Sequence, residues 1–445
     1  MHRYLFFILL FCLPEQNFRA TPLVHILDGC PKMHSCTSSD LSKISDLKFD
    51  EKIKSVQLFK EGWNLSYPII RLNSEERLVL NFDLLGDHIE TYYYTFIHCD
   101  KDWKGSDIFI NNYLEGYPEN PIEEYKHSFN TTVNYIHYKL IFPNERIRLK
   151  LSGNYILTVF TPGEPDKPVI SERFIITEDA VGIDINLHRP KMVSGGNSSQ
   201  QVDFTVNHSG FNIVDPYRNI YAFILQNGRW NNAKRDLKPD FYGNNELKYS
   251  SLSDKNIFPG GNEFRYFDIK SIRYQTEYVK KIDYLTGNYH VYLFPSENRE
   301  FKPYFYWQDF NGKYYIAVQE GRNHETDADY VYVYFTLPSN YLIAGGNIYV
   351  SGALNNWDFN RNNLMNYNTE SGQYEAVMLL KQGWYNYEYV YIKDGIPDTD
   401  ATLFEGSHYE TENDYSVIIY YRNPYDRYDR VIGTRTANTL NRLSY

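Results

Sequence analysis

The stretch that decides the fold class runs from Ile348 to Gly395. It reads Ile348-Tyr-Val-Ser-Gly-Ala-Leu-Asn-Asn-Trp357, a polar loop, Gly372-Gln-Tyr-Glu-Ala-Val-Met-Leu-Leu380, and then Gly383-Trp-Tyr-Asn-Tyr-Glu-Tyr-Val-Tyr-Ile-Lys-Asp-Gly395. Each run alternates residue types and is enriched in aromatic and β-branched residues, which pack well on a pleated, half-buried surface. The spacing predicts three β-strands, with Asn355-Asn356-Trp357 and Lys393-Asp394-Gly395 as corners. Tyr385, Tyr387, Tyr389 and Tyr391 fall on one face of the last run, and Asn386, Glu388 and Val390 on the other. Such a tyrosine ladder reads as core or as a contact surface, because tyrosine is enriched in protein interfaces.

Composition carries the same reading to the rest of the chain. Its 445 residues include 43 Tyr and 27 Phe but only 5 Met, which suits sheets and not helical bundles. The length allows two to four domains. A formal net charge of −11 disfavours a nucleic-acid partner, whose phosphates call for a cationic surface. Four cysteines, none in a Cys-x-x-Cys pair, argue against a structural zinc site. Cys12 falls in the leader, Cys30 and Cys36 could close a small loop in an oxidising compartment, and Cys99 is left over.

Residues 1–20 have the pattern of an export signal: His2 and Arg3, an apolar run from Tyr4 to Leu13, and a polar exit ending at Ala20. The apolar run is too short to span a bilayer of ~30 Å. Residues 21–47 lack periodicity and read as a poorly ordered lead-in. The expected architecture is all-β: three consecutive antiparallel, immunoglobulin-like sandwiches over 48–178, 183–337 and 340–422, followed by a polar tail at 423–445. Arg77–Leu84 alternates cleanly, as a half-buried antiparallel strand should. The last strand is expected at Tyr415–Tyr421.

Little in the chain reads as catalysis. No Gly-x-Ser-x-Gly elbow, Walker loop or His-Glu-x-x-His is present. His98-Cys99-Asp100 places reactive types together, yet strand neighbours point to opposite faces. Asp398 and Asp400 offer too few oxygens for calcium. The adjacent pairs Glu75-Glu76 and Glu123-Glu124 read as surface charge and not as glycosidase carboxylates. No catalytic residue, cofactor or metal is therefore assigned. Binding reads better. The third module is similar to a glycogen- or starch-binding sandwich, in which Trp357 and Trp384 would form a platform for sugar rings beside Asn355 or Lys393. A tryptophan at a sandwich corner is also a common core residue.

A second resemblance spans residues 50–433. It is carried by Cys99-Asp-Lys-Asp-Trp103, Tyr113-Leu-Glu-Gly-Tyr117, His127-Ser-Phe-Asn-Thr-Thr132, Tyr135-Ile-His-Tyr-Lys-Leu-Ile-Phe-Pro-Asn144 and Ser152-Gly-Asn-Tyr155. Phe264-Arg-Tyr-Phe-Asp268, Glu405-Gly-Ser-His-Tyr-Glu-Thr-Glu-Asn-Asp-Tyr415, Tyr420-Tyr-Arg422 and Arg427-Tyr-Asp-Arg430 continue it. These motifs resemble the type IX secretion system plug proteins of Bacteroidetes. The resemblance implies a non-enzymatic periplasmic β-protein, peripheral to the outer membrane. Such a protein closes the periplasmic mouth of the large outer-membrane translocon barrel. It assigns no functional residue. From the residues themselves, Arg427, Tyr428 and Arg430 are candidates for meeting that barrel, since arginine makes bidentate carboxylate contacts. Intramodular salt bridges closing the last strand are the other reading. The alternative function is an exported carbohydrate-binding protein.

Overall fold

The computed structural model describes residues 51–190, 196–250, 254–396 and 399–440. The leader, the lead-in, Cys30 and Cys36 lie outside the described residues. Among those described, no helix is long and apolar enough to cross a membrane. The chain is mostly β, in several sheets, and its helices are single turns.

The first body is built as the alternation predicts. Strand Leu78–Leu85 lies between Ile53–Lys60 and Tyr135–Phe142, with Glu124–His127 beyond, in one antiparallel sheet. Strand Gly153–Phe160 lies between Tyr93–Cys99 and Ile170–Thr177 in the other. Leu80, Phe82 and Leu140 from one sheet and Phe96, Tyr155 and Phe174 from the other share one core. Strand Glu124–His127 ends where the motif His127-Ser-Phe-Asn-Thr-Thr132 begins.

The second body departs from the expected order. Gly182–His188, Ser199–Asn207 and Glu246–Tyr249 form one sheet. Its facing sheet pairs Ile220–Gln226 with Asp414–Tyr421, which in turn pairs with Arg430–Asn438. Half of this sheet therefore comes from the C-terminal end, and the segment read as a polar tail contains a paired strand. The pairing joins two runs, Ile220-Tyr-Ala-Phe-Ile-Leu-Gln226 and Tyr415-Ser-Val-Ile-Ile-Tyr-Tyr421, that are apolar on both faces. Ala222, Ile224, Val417 and Ile419 fill the core of this body. Phe223, Leu225, Ile418 and Tyr420 pack instead on Cys99, Trp103, Ile156 and Ile175 of the first body. A strand covered on both faces needs a continuous apolar run.

The third body is inserted between these halves. Strands from Arg265–Asp268 through Thr399–Asp400 make a single ten-stranded sheet, so no module break falls at 337–340. It curls nearly into a barrel. Phe335, on strand Tyr330–Pro338, meets Phe267 at 5.6 Å and Tyr387 at 5.2 Å across the interior. An immunoglobulin-like sandwich is not what this sheet forms. Three strands meet at Tyr385, whose ring stacks between Phe267 at 5.1 Å and Tyr314 at 5.0 Å. The tyrosine ladder is thus resolved: Tyr385, Tyr387 and Tyr389 are core.

Candidate functional site

Two arrangements position everything outside the cores. The first is a polar lock between the first and third bodies. Asp83, on Leu78–Leu85, receives His137 Nδ1 at 2.7 Å, Tyr330 Oη at 2.6 Å and Lys381 Nζ at 2.6 Å, and all four residues are buried. Burial alone would raise the Asp83 carboxyl; the Lys381 and His137 charges outweigh it and hold it below the usual range. Lys381 also donates to the Glu325 carbonyl and lies over the Tyr135 ring at 4.1 Å. Nearby, Asp329 accepts from the Thr132 and Val133 amides.

The second is the pair of connectors that tie the inserted body to the second, residues 260–264 and 406–413. They run side by side: His408 N donates to Gly261 O, and Asn413 Nδ2 to Gly260 O. The aromatic loop Tyr304-Phe-Tyr-Trp307 straps them. Tyr304 Oη donates to Glu263 at 2.5 Å, and Trp307 Nε1 to the Phe264 carbonyl at 2.9 Å. Beneath it, Glu405 is held by Arg265 at 2.9 Å and Arg299 at 2.5 Å. Burial would raise Glu405, but these two guanidinium groups hold it low. Among the described residues Glu263 and Asp309 form no ion pair; burial pushes Glu263 up to about 7, Arg299 offsetting it only in part, and Asp309 up to about 8. With Tyr304 and Trp307 turned inward, Phe301 and Phe305 stand outward, 89% and 72% exposed.

Against this frame, the residues singled out in the sequence are dispersed. Trp384 is stacked between Tyr266 at 5.3 Å and Tyr315 at 6.3 Å, with Phe310 edge-on at 4.6 Å. Trp357 meets Phe264 at 5.9 Å and carries the Arg229 guanidinium 5.0 Å from its ring. Each tryptophan thus has its own protein partners, and the two are not brought together as one platform. Asn355 is spent bracing its own loop through the Gly352 amide and the Asp358 carbonyl, while Lys393 is exposed. Arg430 makes a bidentate pair with Glu178 at 2.8 and 2.5 Å, the internal role for this residue. Tyr428 packs edge-on against His98 at 5.4 Å, and Arg427 is exposed beside Tyr425.

The reactive types at 98–100 are held inert. His98 bonds Ser106 and the Ser152 carbonyl, and burial pulls its pKa down to about 4. Burial pushes the Cys99 thiol up to about 12, so its nucleophilic thiolate is suppressed. Asp400 caps Thr402, and Asp398 lies outside the described residues.

The sequence reading missed a cleft of about 550 Å³ between the first and third bodies. Its walls are residues 53–56 and 169–172 of the first body and the asparagine-rich loop 353–363 of the third. Tyr332, Val377 and Leu379, on the outer face of the third sheet, form its floor. Asn363 braces the loop by donating to the Val350 and Asp358 carbonyls. The signal in the sequence was the run Asn360-Arg-Asn-Asn363, read there only as a polar loop.

Residues 53–178 match the model of the first domain of the type 9 secretion system plug protein. A crystal structure of a hypothetical protein from Parabacteroides merdae is similar over 88% of this chain and 98% of its own. Its sequence identity is 34% and its TM-score 0.85. An alkylpurine DNA glycosylase from Pseudomonas fluorescens aligns over 28% of the chain at 12% identity, and its TM-score of 0.16 carries no structural meaning. No curated protein sequence matches. The matched domain is the body built around Leu78–Leu85 and Gly153–Phe160, and the chain belongs to the type IX secretion system plug protein family.

Proposed function

We propose that the chain is a non-enzymatic plug subunit. It binds the periplasmic mouth of the type IX outer-membrane translocon and closes it while no cargo passes. The match of residues 53–178 to the plug protein's first domain carries this reading. Mechanically, a plug must resist deformation while it covers a wide opening. Three bodies joined by a buried ion cluster, two hydrogen-bonded connectors and a shared apolar interface behave as one block. The same reading places the protein in the cell envelope at the inner side of the outer membrane. Its contacts with the barrel would come from exposed side chains such as Arg427, Tyr425, Phe301 and Phe305. The carbohydrate-binding alternative would need Trp357 and Trp384 to act separately, since each packs against its own protein neighbours.

The test is affinity purification of the full chain, tagged at its C-terminus, from detergent-solubilised membranes of the native cells. Recovery of a single very large outer-membrane barrel is the expected result. A preparation without that barrel overturns the plug reading.

A further inference from the structure

The cleft between the first and third bodies has the features of a strand-accepting site. Among the described residues, two strands beside it have an edge with no neighbouring strand. Among the described residues Ile53–Lys60 pairs with Leu78–Leu85 alone, and the third body partly caps its other side, where the Tyr314 hydroxyl donates to the Val56 carbonyl. Among the described residues, Ile69–Arg71 covers the second side of Ile170–Thr177 at Ile175–Thr177, and no strand pairs with that side at 170–174. Bare edges present backbone N–H and C=O groups ready to pair with another chain. The floor between them is apolar, with Val377 exposed and Leu379 and Tyr332 half-buried. Such an edge-plus-floor geometry is how domains add an extended peptide to a sheet: backbone pairing supplies affinity, and pockets for alternate side chains supply choice.

The charge in the cleft narrows the occupant. Glu172, half-buried on the wall, has only a 3.5 Å contact from Asn356 Nδ2, and Asp358 stands on the facing loop. Among the described residues neither carboxylate forms an ion pair, although Lys54 and Arg361 line the same cleft. The desolvated wall and the neighbouring Asp358 charge push Glu172 up to about 8, and Arg173, stacked over Trp103 at 4.9 Å, offsets this only in part. The Ser171 hydroxyl beside it is buried and unpartnered. A cation delivered by a ligand would relieve both carboxylates.

We infer that this cleft binds an extended peptide strand in which a lysine or arginine is flanked by apolar side chains. The inference rests on the plug reading in one respect: the strand is supplied by a periplasmic segment of the translocon. In the bound state the peptide backbone pairs with the edge at residues 170–174. Its apolar side chains cover Val377 and Leu379, and its basic side chain reaches Glu172 and Asp358.

The experiment places a photo-crosslinking benzoylphenylalanine at Val377 of the full chain in native cells, beside a Glu172→Lys variant. The expected result is a covalent adduct with the translocon barrel. Its mapped peptide contains a lysine or arginine next to apolar residues. Glu172→Lys is expected to melt like the wild type and to retain at least tenfold less barrel. If the wild type retains the barrel but Val377 gives no adduct, the cleft assignment is overturned and the plug reading stands. An adduct whose peptide lacks a basic residue overturns the charge assignment. If the wild type retains no barrel, the plug reading itself fails.

Discussion

Asp83 and Lys381 show how a single buried pair can set the relation between two bodies. Both are almost fully buried, and neither carries a signal in its own strand beyond a charge in an apolar run. Removing one partner strands the other in a medium that cannot solvate it, so Lys381→Met is expected to cost about 3–5 kcal/mol. Urea unfolding measures that loss directly. The Asp83 carboxyl is held below its unfolded value, so its contribution is present above the ordinary carboxylate range and lost as pH falls through the folded pKa. The Lys381→Met protein should lose that acid-side dependence. Arg430 and Arg427 separate in the same way. Arg430→Ala leaves Glu178, which also accepts from Ser152, without its cation, and is expected to lower stability by about 1–3 kcal/mol. Arg427→Ala is expected to leave the melt unchanged and to weaken retention of the barrel.

The decisive elements are the paired connectors 260–264 and 406–413 with the aromatic loop across them. Gly260 is required there by close approach, since a Cβ would collide with the His408 carbonyl oxygen. Gly260→Ala is therefore expected to force the connectors apart, read as faster amide exchange over 406–413. The carboxylates beneath the loop give this region a pH dependence of opposite sign to that of Asp83. Glu263 and Asp309 have folded values raised to about 7 and about 8. Their contribution is complete below the unfolded carboxylate pKa and is lost as pH rises through those values. Protection of both connectors, taken relative to the intrinsic base-catalysed exchange rate, should fall between about pH 4 and pH 8. The double variant Glu263→Gln, Asp309→Asn should flatten that profile. At this scale the sequence was informative about strands and silent about the loop. Ile220–Gln226, Glu246–Tyr249 and Val279–Leu285 are legible from their composition. The role of Tyr304 and Trp307 depends on Glu263 and Phe264, 41 and 43 residues away in the chain.

For the whole molecule, the consequence is a block whose three bodies share polar and apolar interfaces. The stacked rings at Tyr385 join three strands of the third body while its neighbour Lys381 reaches into the first. Tyr385→Ala is expected to cost about 3–5 kcal/mol through the cavity left between Phe267 and Tyr314. One cooperative transition, not three, should be seen when unfolding is followed by near-ultraviolet circular dichroism. The candidate site behaves differently from the core in legibility. The cleft is made by residues 53–56, 169–172 and 353–363, and no local pattern links them. Trp357 and Trp384 looked like a pair because their module resembles a sugar-binding sandwich; in space each is claimed by different neighbours.

By itself, the sequence determined that the chain is built of strands, where most of them lie, and to which family it belongs. The strands follow from two-residue periodicity, aromatic and β-branched content, and turn motifs, all of which act over a few residues, while the family rests on the motifs that resemble its members. Only the tertiary structure decided which strands pair. It decided that residues 414–438 return to the second body, that the strands from Arg265–Asp268 to Thr399–Asp400 form one curled sheet, and that the strands containing 53–56 and 170–174 line a common cleft. Those outcomes come from covering apolar faces and pairing buried charges between segments far apart in the chain. The strand pattern of 415–421 is the same whichever sheet it joins, and only the partner that buries both of its faces selects one.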